Sequence, residues 1–123
     1  MKIVLIADDN ESSRELVRAV LQNCGVEVRE ATDGAEALAC IRKQAPDLVL
    51  LDVHMPILDG FGVVRELRSD KKYADLPVVA LTASAMQGDR ERALSLGFTE
   101  YLTKPISLGI LRSRLLSLLR DEN

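Results

Sequence analysis

The sequence predicts an α/β fold, a doubly wound five-stranded parallel sheet with five helices on its two faces. Three observations indicate it. Short apolar runs alternate with helical patterns along the whole chain. The first and third runs are apolar at nearly every position, as in strands covered on both faces. Capping residues and glycines separate the segments. The runs are Ile3–Ala7, Val26–Ala31, Leu48–Val53, Val78–Leu81 and, more weakly, Tyr101–Leu102.

The second run alternates between apolar and charged residues, from Val26 to Glu30. Alternation is typical of a strand with one wet face, so this segment is predicted to be an edge strand. Right-handed crossovers between the parallel strands then require helices on both faces of the sheet. In such folds, binding sites lie at the carboxyl ends of the strands, near the switch in strand order.

Five helices are predicted from capping residues and apolar spacing. Asn10 or Ser12 caps the first, Gly34 leads the second, Asp59 caps the third and Ser107 caps the fifth. The fourth, from about Met86 to Leu96, is weak because it is polar and rich in Gly and Ser. Gly25, Pro46 and Gly97 mark helix ends. The predicted inward stripes are Leu16, Val17, Val20 and Leu21; Ala35, Leu38 and Ile41; Phe61, Val64 and Leu67; and Leu108, Leu111, Leu115, Leu118 and Leu119.

The composition is that of one globular domain, residues 1–123, which can bury a core without metal or disulfide support. The 16 basic and 19 acidic residues give a net charge of -3. No basic run stands out, so direct nucleic-acid binding is not expected. No apolar stretch approaches the roughly 20 residues that span a membrane, and a cytoplasmic location is expected. Cys24 and Cys40 fit no metal-binding spacing and are expected to be half-buried thiols.

Four polar features follow the predicted strands. Asp8 and Asp9 follow the first, Asp52 ends the third, Thr82 follows the fourth, and Lys104 comes just after the fifth. Each alone is weak, since an aspartate after a strand is often a cap or a turn residue. Because the carboxyl ends of parallel strands meet at one edge of a sheet, we expect these side chains to lie close together.

Such a cluster of carboxylates needs a positive charge. Two carboxylates about 5 Å apart repel by roughly 3 kcal/mol at an effective dielectric constant near 20. A magnesium ion, which takes oxygen ligands, would supply this positive charge. Three carboxylates, one lysine and one divalent cation sum to zero charge. The cation and the lysine can then neutralise the oxygens of an incoming phosphoryl group.

Five segments form a specific set when taken in this order and spacing. They are Ile6–Asn10, Leu50–Pro56, Asp59–Gly60, Ala80–Ala83 and Tyr101–Pro105. Through these segments the whole chain resembles the receiver domain of bacterial two-component response regulators. That family has a flavodoxin-like fold with strand order 2-1-3-4-5.

The resemblance implies roles for particular residues. Asp52 is the phosphoacceptor nucleophile. Asp9 binds Mg²⁺ directly, Asp8 binds it directly or through water, and the backbone carbonyl of His54 completes the protein ligands together with Asp52. Lys104 pairs with Asp52 before the reaction and with the phosphate afterwards.

The resemblance also implies a switch. The Thr82 hydroxyl binds a phosphoryl oxygen, and the ring of Tyr101 moves inward as Thr82 moves. The Lys104–Pro105 bond is cis. A surface formed by the fourth helix, the fifth strand and the fifth helix then reports the change to a downstream protein. The implied phosphoryl donor is a histidine kinase or a histidine phosphotransfer protein, and a phosphorylation-dependent homodimer is a further expectation.

Three other function classes compete with a switch. A magnesium-dependent phosphatase with an aspartyl nucleophile needs an acid two residues after it, where this chain has His54. A flavin mononucleotide module shares the architecture, but Asp8 and Asp9 would repel its phosphate. A degenerate receiver that only binds partners conflicts with the complete set of Asp9, Asp52, Thr82 and Lys104.

Overall fold

The computed structural model describes residues 1–83 and 88–119. A single parallel sheet has the strand order β2-β1-β3-β4-β5, as predicted, with β2 at one edge. The strands are β1 (Lys2–Ala7), β2 (Val26–Ala31), β3 (Leu48–Leu51), β4 (Val78–Thr82) and β5 (Glu100–Thr103). The helices are α1 (Glu11–Leu21), α2 (Gly34–Lys43), α3 (Gly60–Arg68), α4 (Asp89–Leu96) and α5 (Leu108–Leu119), with a short 3-10 helix at Lys71–Tyr73.

The strand register aligns the carboxyl ends of the central strands. Ala7 is paired with Leu51, Leu51 with Ala80, and Ala80 with Tyr101. The residues that follow β1 and β3 and the last residue of β4 therefore come together at one edge of the sheet. This confirms the edge that the sequence predicted.

The core has two layers, one on each face of the sheet. Helices α1 and α5 cover one face, where Val17, Leu21 and Leu115 pack on β1, β3 and β4. Helices α2, α3 and α4 cover the other face, where Ile41 and Leu67 lie in the core. Every residue of β3 is buried, which explains the continuous apolar run that predicted it.

The helix boundaries follow their capping residues. The side chain of Asn10, rather than that of Ser12, accepts a hydrogen bond from the backbone of α1, and Asp59 caps α3 in the same way. Asp33 caps α2, which begins at Gly34 as predicted. Gly97 ends α4 in the left-handed region, at φ 115°. The predicted start of the fourth helix near Met86 lies outside the described residues, and the described helix begins at Asp89.

Some predicted inward residues are not buried. Leu16 and Leu108 are exposed, and both border an apolar cavity of about 220 Å³ between α1 and α5. Ala35 is exposed, because the buried face of α2 runs through Gly34, Ala37, Leu38 and Ile41 instead. The other predicted stripe residues are buried, except for Leu118, which is half-buried.

Four of the strands differ in length from those predicted. β1 begins one residue earlier, at Lys2, and β4 ends one residue later, at Thr82. β3 ends at Leu51, two residues earlier than predicted, and β5 extends one residue further at each end than its short apolar core. Cys24 and Cys40 are free, half-buried thiols, as expected. None of the described helices is both long enough and apolar enough to cross a bilayer.

Candidate phosphoacceptor site

Asp8 and Asp9 form the first turn after β1. The backbone N–H of Asp8 extends the sheet by donating to the carbonyl of Ala31, at 3.1 Å. Oδ1 of Asp8 accepts from the backbone N–H of Asn10 at 2.9 Å, which closes a tight turn. Asp8 is buried and Asp9 is exposed. The turn therefore presents one enclosed and one open carboxylate.

Asp52 follows β3 at the same edge. Its backbone N–H donates to the carbonyl of Ala7 at 2.9 Å, and Oδ1 of its side chain accepts from the backbone N–H of His54 at 3.0 Å. The start of α3 lies against this segment, so that a Cβ on Gly60 would lie 2.8 Å from the carbonyl oxygen of Asp52. Only glycine permits so close an approach. These contacts hold the backbone of Asp52, and with it the half-buried side chain, in a fixed position.

The three carboxylates are close enough to share a cation. One oxygen from each of Asp8, Asp9 and Asp52 lies within 4.8 Å of the others. An all-oxygen donor set with carboxylates of graded exposure matches the ligand preference of Mg²⁺. The residues present therefore fit the metal that the sequence predicted.

The environment of Asp52 is unfavourable to its charge. Desolvation by burial raises the pKa of the Asp52 carboxyl, and the negative charge of Asp8 acts in the same direction. Hydrogen bonds from the His54 backbone and the Thr82 hydroxyl, and the charge of Lys104, oppose this without cancelling it. The net pKa is raised, and desolvation by burial is the largest cause.

Lys104 reaches the site from the loop after β5. Its backbone N–H donates to the carbonyl of Thr82 at 2.8 Å. Its ammonium lies 3.1 Å from Oδ2 of Asp8 and 2.9 Å from the hydroxyl of Ser13. The resemblance implied a resting pair with Asp52; among the described residues, the ion pair is with Asp8 instead. Asp8 is the more buried carboxylate, and Ser13 offers the ammonium a second acceptor beside it. The Lys104–Pro105 bond is cis, as implied.

Tyr101 lies on β5, which pairs with the strand that ends at Thr82. Tyr101 is only 4% exposed, so its ring lies in the interior of this structure and not on the surface. Burial raises the pKa of its hydroxyl, and the charges of Asp89 and Asp52 add to the effect. A guanidinium N–H of Arg90 donates to the carbonyl of Tyr101 at 2.9 Å. This bond ties the first turn of α4 to the strand that carries Tyr101.

His54 contributes its backbone rather than its side chain. The residue is exposed, and its backbone N–H holds Asp52.

Two residues at the site, Ser13 and Arg14, were not predicted from the sequence. The guanidinium of Arg14 donates to the carbonyl of Asp8 at 2.8 Å and to Glu30 at 2.9 Å. The sequence signal for the contacts of Arg14 was the spacing of Arg14 and Arg18 on one helix face, opposite an acidic residue at the end of an edge strand.

A family model described as the response regulator receiver domain matches residues 4–116. The chain belongs to this family. Proteins of this family are signalling proteins rather than classical enzymes, so the phosphatase and flavin alternatives are set aside.

Curated relatives carry the receiver sequence within longer proteins. The chain is 44% identical over 119 residues to the probable transcriptional regulator ycf27 of Cyanophora paradoxa, a match over 97% of this chain and 48% of that protein. It is 42% identical over 112 residues to the sensor protein EvgS of Escherichia coli, covering 91% of this chain and 9% of that protein. The chain thus spans about half or less of the length of these relatives.

Solved receivers have the same fold. The receiver domain of the sensor histidine kinase PA1611 of Pseudomonas aeruginosa, with a magnesium ion coordinated in its active-site cleft, superposes with a TM-score of 0.87. It is 33% identical, and the match covers 98% of each chain. The chemotaxis protein CheY4 of Vibrio cholerae is 35% identical with the same TM-score, over 96% of this chain and 98% of that chain.

Proposed function

We propose that this receiver is a phosphorylation-dependent signalling switch in which Asp52 accepts the phosphoryl group. The observation that carries the proposal is the cluster of three carboxylates within 4.8 Å of one another. Asp52 is the member of the cluster that also receives a hydrogen bond from Thr82. A half-buried carboxylate beside two other carboxylates is an unfavourable charge arrangement of the kind that is common at functional sites.

The reaction is an in-line transfer. An Oδ of Asp52 forms a bond to phosphorus as the bond from phosphorus to the donor atom breaks, and the donor leaves with its electron pair. For a phosphohistidine donor, the leaving nitrogen becomes a neutral imidazole once it is protonated. The raised pKa of Asp52, caused mainly by burial, makes its ionised carboxylate a stronger nucleophile than that of an ordinary aspartate.

Asp8, Asp9 and Asp52, with the backbone carbonyl of His54, are the groups that would hold Mg²⁺. The bound cation would offset negative charge on the phosphoryl oxygens. Lys104 and the Thr82 hydroxyl supply the remaining positive charge and hydrogen bond from the protein side. In this scheme Lys104 leaves Asp8 and turns to the phosphoryl group, a change that its long flexible stem permits.

The proposed output surface is the face made by α4, β5 and α5. Three features support it. Thr82 and Tyr101 lie on neighbouring strands, and Thr82 pairs with Thr103, two residues along β5 from Tyr101. Arg90 joins the carbonyl of Tyr101 to α4. Ala93 is the buried residue of α4, so few apolar contacts hold this helix and its position is easily biased.

The proposed phosphoryl donor is a histidine kinase or a histidine phosphotransfer protein. The matches to the sensor protein EvgS and to the sensor histidine kinase CheAY of Helicobacter pylori support this assignment. The proposed readout is contact with a downstream protein, since the net charge of -3 does not favour direct binding of nucleic acid.

The test is phosphorylation by a small donor. The purified chain is incubated with acetyl phosphate and Mg²⁺, and intact mass is followed together with the alkali lability of the product. We expect a gain of one phosphoryl group in the presence of Mg²⁺ and no gain when Mg²⁺ is chelated. Asp52→Asn should not be modified. Asp75→Asn is the matched control, because this exposed residue precedes β4 at the opposite edge of the sheet.

An unmodified native chain would contradict the proposal. Modification of Asp52→Asn at the native rate would assign the nucleophile to another residue. Peptide mapping after borohydride reduction of the acyl phosphate then identifies the modified aspartate directly.

A further inference from the structure

We infer that Arg14 is a positioning residue for the acidic turn, holding the Asp8–Asp9 peptide so that Asp9 can bind a divalent cation. The inference rests on the proposed function, because it concerns the same site. It assigns to a residue of α1 a role that neither its helical position nor its charge alone would suggest.

Arg14 forms a bridge between three elements. Its Nε donates to Oε1 of Glu30, at the end of β2, at 2.9 Å. Its Nη1 donates to the backbone carbonyl of Asp8, after β1, at 2.8 Å. Its side chain is 12% exposed, although it carries a full charge. The planar guanidinium donates in two directions at fixed angles, so both partners are held at once.

The carbonyl of Asp8 belongs to the peptide that leads into Asp9. A hydrogen bond to this carbonyl fixes the orientation of the peptide plane, and with it the direction in which the side chain of Asp9 leaves the backbone. The Asp8 side chain is independently held by Asn10 and Lys104. Asp9 has no such support: it is exposed, and no side-chain partner is recorded for it within residues 1–83 and 88–119. Its placement therefore depends on the backbone that Arg14 holds.

The chain contains a matched control in Arg18. Arg18 lies one turn further along α1 and pairs with the same carboxylate, at 2.6 Å from Oε2 of Glu30. It does not contact the acidic turn among the described residues. Any effect of weakening the ion-pair cluster, or of its charge, should appear in variants of both arginines. An effect on the acidic turn should appear only in variants of Arg14.

Arg14→Lys and Arg18→Lys retain the charge, but lysine cannot bond both partners in fixed geometry. The free energy of unfolding is measured by urea titration in EDTA, and Mg²⁺ binding to the unphosphorylated protein by calorimetry. We expect both variants to lose stability, and Arg14→Lys to lose more, because the Arg14 side chain is more buried and makes a further hydrogen bond. We expect only Arg14→Lys to bind Mg²⁺ more weakly, by about tenfold or more, as for other residues that orient metal ligands.

Glu30→Gln is a second variant. It retains Arg14 and Asp8 but removes the negative charge of the carboxylate that orients the Arg14 guanidinium. We expect weaker Mg²⁺ binding here too, smaller in size than for Arg14→Lys. This variant also keeps the inference testable if Arg14→Lys does not fold.

The outcomes are distinguishable. Equal Mg²⁺ affinity in the native chain, Arg14→Lys and Glu30→Gln, with phosphorylation intact, overturns the inference alone. Equal weakening in Arg14→Lys and Arg18→Lys also overturns it, because the effect then belongs to the ion-pair cluster. A native chain that neither binds Mg²⁺ nor accepts a phosphoryl group overturns the proposed function together with it.

Discussion

The ammonium of Lys104 lies 3.1 Å from Oδ2 of Asp8, although the two residues are separated by 96 positions in the chain. The Asp8 side chain is 7% exposed and that of Lys104 is 24% exposed, so the pair is shielded from water. A carboxylate this enclosed is costly to leave without a counter-charge. Lys104 therefore stabilises the resting fold in addition to the role proposed for it in phosphoryl transfer.

Replacing Lys104 with methionine should destabilise the metal-free protein. The change leaves the Asp8 carboxylate buried and without its ion pair, at a cost of roughly 1–3 kcal/mol. Added Mg²⁺ should recover part of this loss, because the cation supplies the missing charge. The measurement is urea unfolding followed by circular dichroism, with and without Mg²⁺.

Lys43→Met, an exposed change at the end of α2, is the control for loss of a lysine charge. If Lys104→Met matched the native stability in EDTA, the ion pair with Asp8 would contribute nothing to the fold. If Mg²⁺ stabilised both lysine variants equally, the charge argument would be wrong.

Asp52→Asn should make the metal-free protein more stable at neutral pH. Burial of Asp52 and the nearby charge of Asp8 raise its folded pKa above the unfolded value. Below the unfolded pKa the group is neutral in both states and contributes no penalty. As pH rises through the folded pKa, ionisation increasingly destabilises the folded state. The advantage of asparagine should then be largest above the folded pKa, on the order of 1 kcal/mol.

The difference in unfolding free energy between native and Asp52→Asn proteins is measured from about pH 7 down to about pH 4, near the ordinary carboxyl pKa. It should shrink towards acid, and it should also shrink when Mg²⁺ is added at neutral pH. A difference that is independent of pH would indicate that the asparagine acts by packing and not by removing a charge. Asp75→Asn serves again as the control.

Ile57→Asn should stabilise the protein. Ile57 has φ 72° and is 81% exposed, and the backbone N–H of Leu58 donates to the carbonyl of Pro56 across it at 2.7 Å. A β-branched residue in the left-handed region costs roughly 1–2 kcal/mol, and asparagine adopts this conformation more readily. We expect a gain of about 1 kcal/mol in the free energy of unfolding.

Ile110→Asn provides the contrast, because Ile110 is also an exposed isoleucine but lies in the first turn of α5. It should gain nothing. An equal gain at both positions would show that lower surface hydrophobicity, and not backbone strain, is responsible. Phosphorylation by acetyl phosphate, measured alongside, reports whether the turn beside Asp52 keeps its shape.

The sequence by itself determined the fold and the members of the acidic cluster. Apolar runs of strand length ended at Asp8, Asp52 and Thr82, and parallel pairing must bring such ends to one edge. Helix capping by Asn10 and Asp59 depends only on residues that are close in sequence. These caps could therefore be predicted from the sequence.

Only the tertiary structure decided which partners the long side chains take. Lys104 binds Asp8 and Ser13, and Arg14 binds the carbonyl of Asp8, because α1 happens to lie within reach of both. The exposure of Leu16 and Ala35 likewise depends on how α1 and α2 sit on the sheet. A flexible side chain binds the acceptor within its reach, and the distances to competing acceptors differ by only a few ångströms. Those distances are set by helix packing, which no local pattern in the chain encodes.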